Sequence, residues 1–133
     1  GPGMTTWFKP ANRNNRPNDG VSVEEQDGDA DSLLNYYRRL VRLRNERPAL
    51  RSADFRMMDA VTGCRSCMGL WRWASDEVIS MVFNFGDQAQ SFVLDVASSP
   101  VPPGERATFL LGEAQPLDNL TIAPWGTLVI SWQ

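Results

Sequence analysis

Apolar residues recur at helical spacing from Leu33, through Tyr36, Tyr37, Leu40 and Val41, until Pro48 interrupts the pattern. With Asp31 or Ser32 as cap, this spacing predicts a helix over 31–47, and Arg42, Arg44 and Arg47 fall where its unpaired carbonyls favour cations. After Arg51 the period shortens to two, and short runs rich in Val, Ile, Phe and Trp alternate with turn residues. The expected strands are Phe55 to Ala60, Met68 to Ala74, Glu77 to Phe83, Gln90 to Val96, Ala107 to Leu111, Leu120 to Ile122, and Gly126 to Trp132. Between them stand Thr62-Gly63, Ser75-Asp76, Gly86-Asp87 and Pro124, residues that favour turns. The expected fold is mainly β: an antiparallel β-sandwich of about seven strands over 52–133, preceded by one long α-helix. Residues 4–30, crowded with Asn, Asp, Gly and Pro, read as an irregular N-terminal arm, and Gly1-Pro2-Gly3 as a tag remnant.

Composition narrows the chemistry. A chain of 133 residues holds one ordinary domain, and no apolar run approaches the roughly 18 residues of a membrane span. Histidine is absent, which removes the usual general base, the commonest zinc ligand and any Ser-His or Cys-His pair. The net charge of -3 conceals a basic segment, because six of the twelve arginines lie between Arg38 and Arg51. Arg38, Arg39, Arg42 and Glu46 face away from the Tyr37, Leu40, Val41 stripe, so they read as the polar side of an amphipathic helix. The acidic remainder would repel phosphate, and no nucleic-acid partner is expected.

Cys64-Arg65-Ser66-Cys67 is a single C-x-x-C with no further Cys or His, so neither a metal nor another cofactor is expected. The pair reads as two thiols in a hairpin loop, bridged or free. A glycosidase needs two carboxylates facing each other across a sugar at about 5 to 9 Å. Asp54, Asp59, Asp76, Glu77, Asp87, Asp95, Glu105, Glu113 and Asp118 mostly occupy turn positions, where solvated caps are the ordinary explanation. Trp71 and Trp73 share one face of their strand, and Trp125 enters the last one; they form a core layer or a sugar-stacking platform.

The run from Asp29 to Arg44, followed by Arg47-Pro48-Ala49-Leu50, resembles the final barrel helix of alpha-amylase family glycoside hydrolases (family 13), near alpha-glucosidases, oligo-1,6-glucosidases and trehalose synthases. Trp7-Phe8-Lys9-Pro10 and Val21 to Gln26 resemble the segment ahead of that helix. Ser52 to Phe55 and Val78 to Gly86 resemble the opening strands of the family's C-terminal β-domain. That resemblance implies a non-catalytic accessory domain whose catalytic acids all lie upstream, so no catalytic residue is assigned here. It implies a catalytic (β/α)8 barrel as partner, covering Leu33, Tyr37, Leu40 and Val41; when that partner is missing the stripe is expected to fold back onto the sandwich or to self-associate. The alternative it leaves open is a carbohydrate-binding module for maltooligosaccharide or starch, using Trp71, Trp73 or Trp125. Compartment stays open.

Overall fold

In the computed structural model the described residues are 20–59 and 61–133; the expected tag remnant and the arm up to Asp19 lie outside them. The chain divides after Leu43 into two compact units.

In the first unit the stretch expected to be irregular contains a helical turn, α1, over Val23–Asp27. Its origin is local: Ser22 accepts a bond from the Glu25 backbone while the Glu25 carboxylate reaches back to the Ser22 amide, so two otherwise unpaired donors are satisfied at once. Helix α2 spans Leu33–Glu46, inside the expected 31–47. Ser32 caps it, accepting the Asn35 amide at 3.3 Å and donating to the Gln26 carbonyl at 2.7 Å. Asn35 Nδ2 bonds the carbonyls of Gln26, Asp27 and Asp29, tying the end of α1 to the start of α2. The helix ends because Pro48 disfavours helical geometry in the residue before it, and Arg47 is extended at φ -112°, ψ 110°.

The second unit begins with a 3-10 turn, Pro48–Leu50, whose Ala49 and Leu50 are buried. Seven strands follow: β1 Phe55–Met57, β2 Cys67–Ala74, β3 Glu77–Asn84, β4 Gln90–Phe92, β5 Ala107–Leu111, β6 Leu120–Ile122 and β7 Thr127–Trp132. All pairings are antiparallel, in a five-stranded sheet ordered β1-β2-β3-β7-β5 and a two-stranded ladder of β4 and β6. Alternation sends Trp71, Val78, Val82, Leu128, Ile130 and Trp132 to one face of the large sheet, where they form a single cluster with Phe92, Leu120 and Ile122 of the ladder. At roughly 1.5–3 kcal/mol for each fully buried large side chain, this cluster supplies most of the drive to fold.

Strands β1 and β4 are shorter than the alternation predicts. The chain leaves the large sheet after Met58, whose amide bonds the Gly69 carbonyl, and Thr62 then bridges to Val93 beside the ladder. One apolar run therefore serves both layers, and no single ladder contains it. Gly63 makes that crossing possible: its φ is +97°, and a Cβ there would lie 2.8 Å from the Ser91 carbonyl oxygen. Gly63→Ala is expected to lower the unfolding free energy by about 2 kcal/mol, from left-handed strain plus the backbone collision, measurable by urea titration.

The opposite face of the large sheet has its own buried patch. Ile79 and Val129 are fully buried there, outside the main cluster, and the Pro48–Leu50 turn packs on β2 and β3. Glu77 belongs to that patch at 3% exposure, although a solvated turn position was expected. Its Oε1 accepts from Arg47 Nη1 at 3.1 Å and from Ser131 Oγ at 2.8 Å, and Oε2 has no partner among the described residues.

Candidate functional site

The three tryptophans singled out by sequence fall in different environments. Trp71 is 3% exposed and lies 6.3 Å from the Trp132 ring in the core cluster; Trp73 is partly buried against the same cluster. An indole face enclosed by other side chains is not offered to a sugar, so Trp71 does not make a stacking platform with Trp73. Trp125 stands apart at 69% exposure.

Trp125 occupies the third position of the turn Ala123-Pro124-Trp125-Gly126, closed by a 3.0 Å bond from the Gly126 amide to the Ala123 carbonyl. Its φ is +55°, a left-handed value that this turn position requires and that glycine or asparagine normally supplies. A bulky residue held there costs on the order of 1–2 kcal/mol. The Trp125 amide donates to the Gly86 carbonyl at 3.1 Å, which sets the turn beside the Phe85-Gly86 loop. Phe85 is 56% exposed and stacks on Phe83 with centroids 6.4 Å apart.

Asn84 organises this end of the sheet. It is 2% exposed, and all its side-chain bonding positions are filled. Oδ1 accepts from Ser66 Oγ at 2.8 Å and from the Gly86 amide at 2.9 Å, while Nδ2 donates to the carbonyls of Gln88 at 2.8 Å and Ala123 at 2.9 Å. Three loops thus meet on one amide: the cysteine loop, the 85–88 loop and the Trp125 turn. The cysteine loop is closed covalently by a Cys64–Cys67 disulfide, with Cα atoms 5.4 Å apart, which settles whether the two thiols bridge. While bonded to each other, neither sulfur is a thiolate able to bind metal. Next to these loops a cleft of about 450 Å³ is lined by Arg65, Ser66, Asp87, Gln88 and Gln90.

Sequence reasoning passed over Phe85 and Asn84. Asn84 left a signal: along β3 the positions facing the core run Val78, Ser80, Val82, Asn84, so a polar amide stands at the end of a buried row. A buried amide with four partners is a scaffold for loops.

Among the described residues no three of Asp, Glu and Cys gather as a metal site would require. Asp95 has its carboxyl held below the ordinary carboxylate range by hydrogen bonds from the Ser98 side chain and backbone, in full solvent. Glu77 is committed to Arg47 and Ser131. On α2, Leu33, Tyr37 and Val41 are 65%, 59% and 56% exposed, and Leu40 is half-buried. They form one apolar line at i, i+4 and i+8, and no residue of α2 is buried.

No protein-family model matches the sequence. The chain is similar to the amino acid transporter heavy chain of Oryctolagus cuniculus, 30% identical over 120 residues that make up 83% of this chain and 22% of that protein. Its fold is similar to a Bacillus licheniformis trehalose-6-phosphate hydrolase, with TM-score 0.69 and 21% identity over 84% of this chain and 20% of the hydrolase. It is also similar to the isomaltulose synthase of Klebsiella sp. LX3, with TM-score 0.66 and 21% identity over 85% of this chain and 20% of the synthase. An alpha-amylase from H.orenii gives TM-score 0.64 and 24% identity over 87% of this chain and 24% of the amylase. These solved neighbours are alpha-amylase family enzymes, and the likeness, which establishes the fold, runs along most of the chain. The chain spans between a fifth and a quarter of the length of each of these four proteins.

Proposed function

We propose that the chain is a non-catalytic accessory region of a larger protein of the alpha-amylase fold, comprising the last barrel helix and a C-terminal β-sandwich that stabilises the barrel. One observation carries this reading: the chain has the fold of about a fifth of several alpha-amylase family enzymes. The exposed line of Leu33, Tyr37 and Val41 supports it, since side chains of this kind gain roughly 1.5–3 kcal/mol each when a partner covers them. In this reading the partner is the (β/α)8 barrel of the parent, which acts on alpha-glucosidic bonds. The 133-residue chain is expected to show no turnover of p-nitrophenyl alpha-glucoside. Turnover abolished by replacing any one of its acids would overturn the reading.

A second reading rests on the 30% identity to an amino acid transporter heavy chain. In that reading the parent is the heavy chain of an amino acid transporter. The Cys64–Cys67 disulfide favours an oxidising compartment under either reading. The reading frame upstream of Trp7 separates the two: the enzyme reading requires a nucleophilic aspartate, an acid/base glutamate and a third aspartate on barrel strands. The transport reading requires co-purification with a membrane subunit.

A further inference from the structure

We infer that Gln115 is a built-in guard on the outer edge of β6: its side-chain amide stands where a neighbouring strand would and keeps that edge from pairing with a second copy of the chain. The inference rests on the geometry of this edge and on neither reading of the parent protein.

A ladder of two strands leaves an edge on each side, and unpaired amides and carbonyls there template the addition of another strand. On the β4 side the chain covers its own edge: the Val93 amide bonds the Thr62 carbonyl at 3.0 Å, and Gly63 lies so near Ser91 that a Cβ would meet its carbonyl oxygen. On the β6 side no strand lies beyond the ladder among the described residues, and Thr121 is exposed.

Gln115 fills that place. Its Oε1 accepts from the Thr121 amide at 2.6 Å and from Thr121 Oγ1 at 2.8 Å, and its Nε2 donates to the Thr121 carbonyl at 3.0 Å. A residue of an adjoining antiparallel strand would make the same two backbone bonds, so one primary amide reproduces a rung of the ladder. The next outward carbonyl along the strand, that of Ala123, is held by Asn84 Nδ2 at 2.9 Å and by the Gly126 amide at 3.0 Å. Pro116, beside Gln115, has no N–H, so the segment carrying the guard offers no amide there to recruit a further strand.

The protection depends on the side chain. A groove of about 540 Å³ separates the segment 112–115 from Ile122, Thr127 and Leu128, so packed side chains do not hold this edge shut. Without the amide, the edge is self-complementary: Thr121 residues of two antiparallel copies exchange both bonds about a twofold axis.

The test uses the 133-residue chain carrying Leu33→Asp/Tyr37→Asp, which removes association through α2, and adds Gln115→Ala. Sedimentation velocity is expected to show association that grows with concentration where the background stays monomeric. The urea midpoint should not change, because the Gln115 side chain bonds only Thr121 and the Glu113 carbonyl. The Thr121 amide reports the interface: at low concentration it should exchange at least about tenfold faster than in the background, and it should regain protection as the chains associate. Gln115→Glu keeps an acceptor for the Thr121 amide and brings a charge to the edge, so it should stay monomeric. A Gln115→Ala chain as monomeric as the background, or one that associates with its Thr121 amide unprotected, would overturn the inference. So would equal association of Gln115→Glu and Gln115→Ala, which would trace the effect to a loosened loop and not to an opened edge.

Discussion

Asn84→Ala is expected to lower the unfolding free energy by about 3 to 5 kcal/mol, among the largest losses available to a single polar side chain in this protein. The amide is 2% exposed, and its removal leaves Ser66 Oγ, the Gly86 amide and the carbonyls of Gln88 and Ala123 without their partner at part-buried positions. Each part-buried group so orphaned costs about 1 kcal/mol, the low end for a buried group, partly recovered as water and loosened loops reach it. Asn84→Asp is nearly isosteric and should be no better, since it sets a carboxylate oxygen against the two carbonyls that Nδ2 now serves. Urea unfolding with an unchanged m-value reads the effect. A loss below about 1 kcal/mol would show that the three loops hold their positions without this hub.

Arg47→Ala is expected to cost about 3 kcal/mol, at the low end for breaking a buried pair because the arginine side chain is 31% exposed while that of Glu77 is only 4% exposed. The cost lies chiefly in what remains: a carboxylate out of water, with Ser131 Oγ as its one remaining donor and an oxygen already unpartnered. Glu77→Gln in the Arg47→Ala background should therefore restore part of the loss, a coupling that a double-mutant cycle measures directly. Equal losses in the single and double variants would place the effect in the packing of the Arg47 stem and not in charge.

Period-two alternation located the strands because five of them lie in one sheet whose two faces differ, so each register carries a signal. It overran at Met58 and Asp59 and at Val93 to Val96, the expected Ala60 end lying outside the described residues, because the chain there passes between layers, an outcome set by partners far away in sequence. The α1 turn was legible in Ser22-Val23-Glu24-Glu25, a capping box overlooked among residues that favour turns. For the tryptophans, alternation gave the shared face of Trp71 and Trp73, but which face is inside depends on Phe92 and Leu120 across the core. The left-handed backbone of Trp125 was beyond reach, since Pro-Trp-Gly admits more than one turn and the bond to Gly86 selects this one. Glu77 was misjudged for a similar reason: its partners Arg47 and Ser131 stand 30 and 54 residues away.

In the proposed reading Leu33, Tyr37 and Val41 form a surface that a partner covers. Sedimentation velocity over a concentration series tests it most directly. Concentration-dependent association of the chain is expected, abolished in Leu33→Asp/Tyr37→Asp while the β-unit unfolds at the same urea concentration. A species that stays monomeric at every concentration, with α2 helical and its amides exchanging as a free helix would, contradicts it.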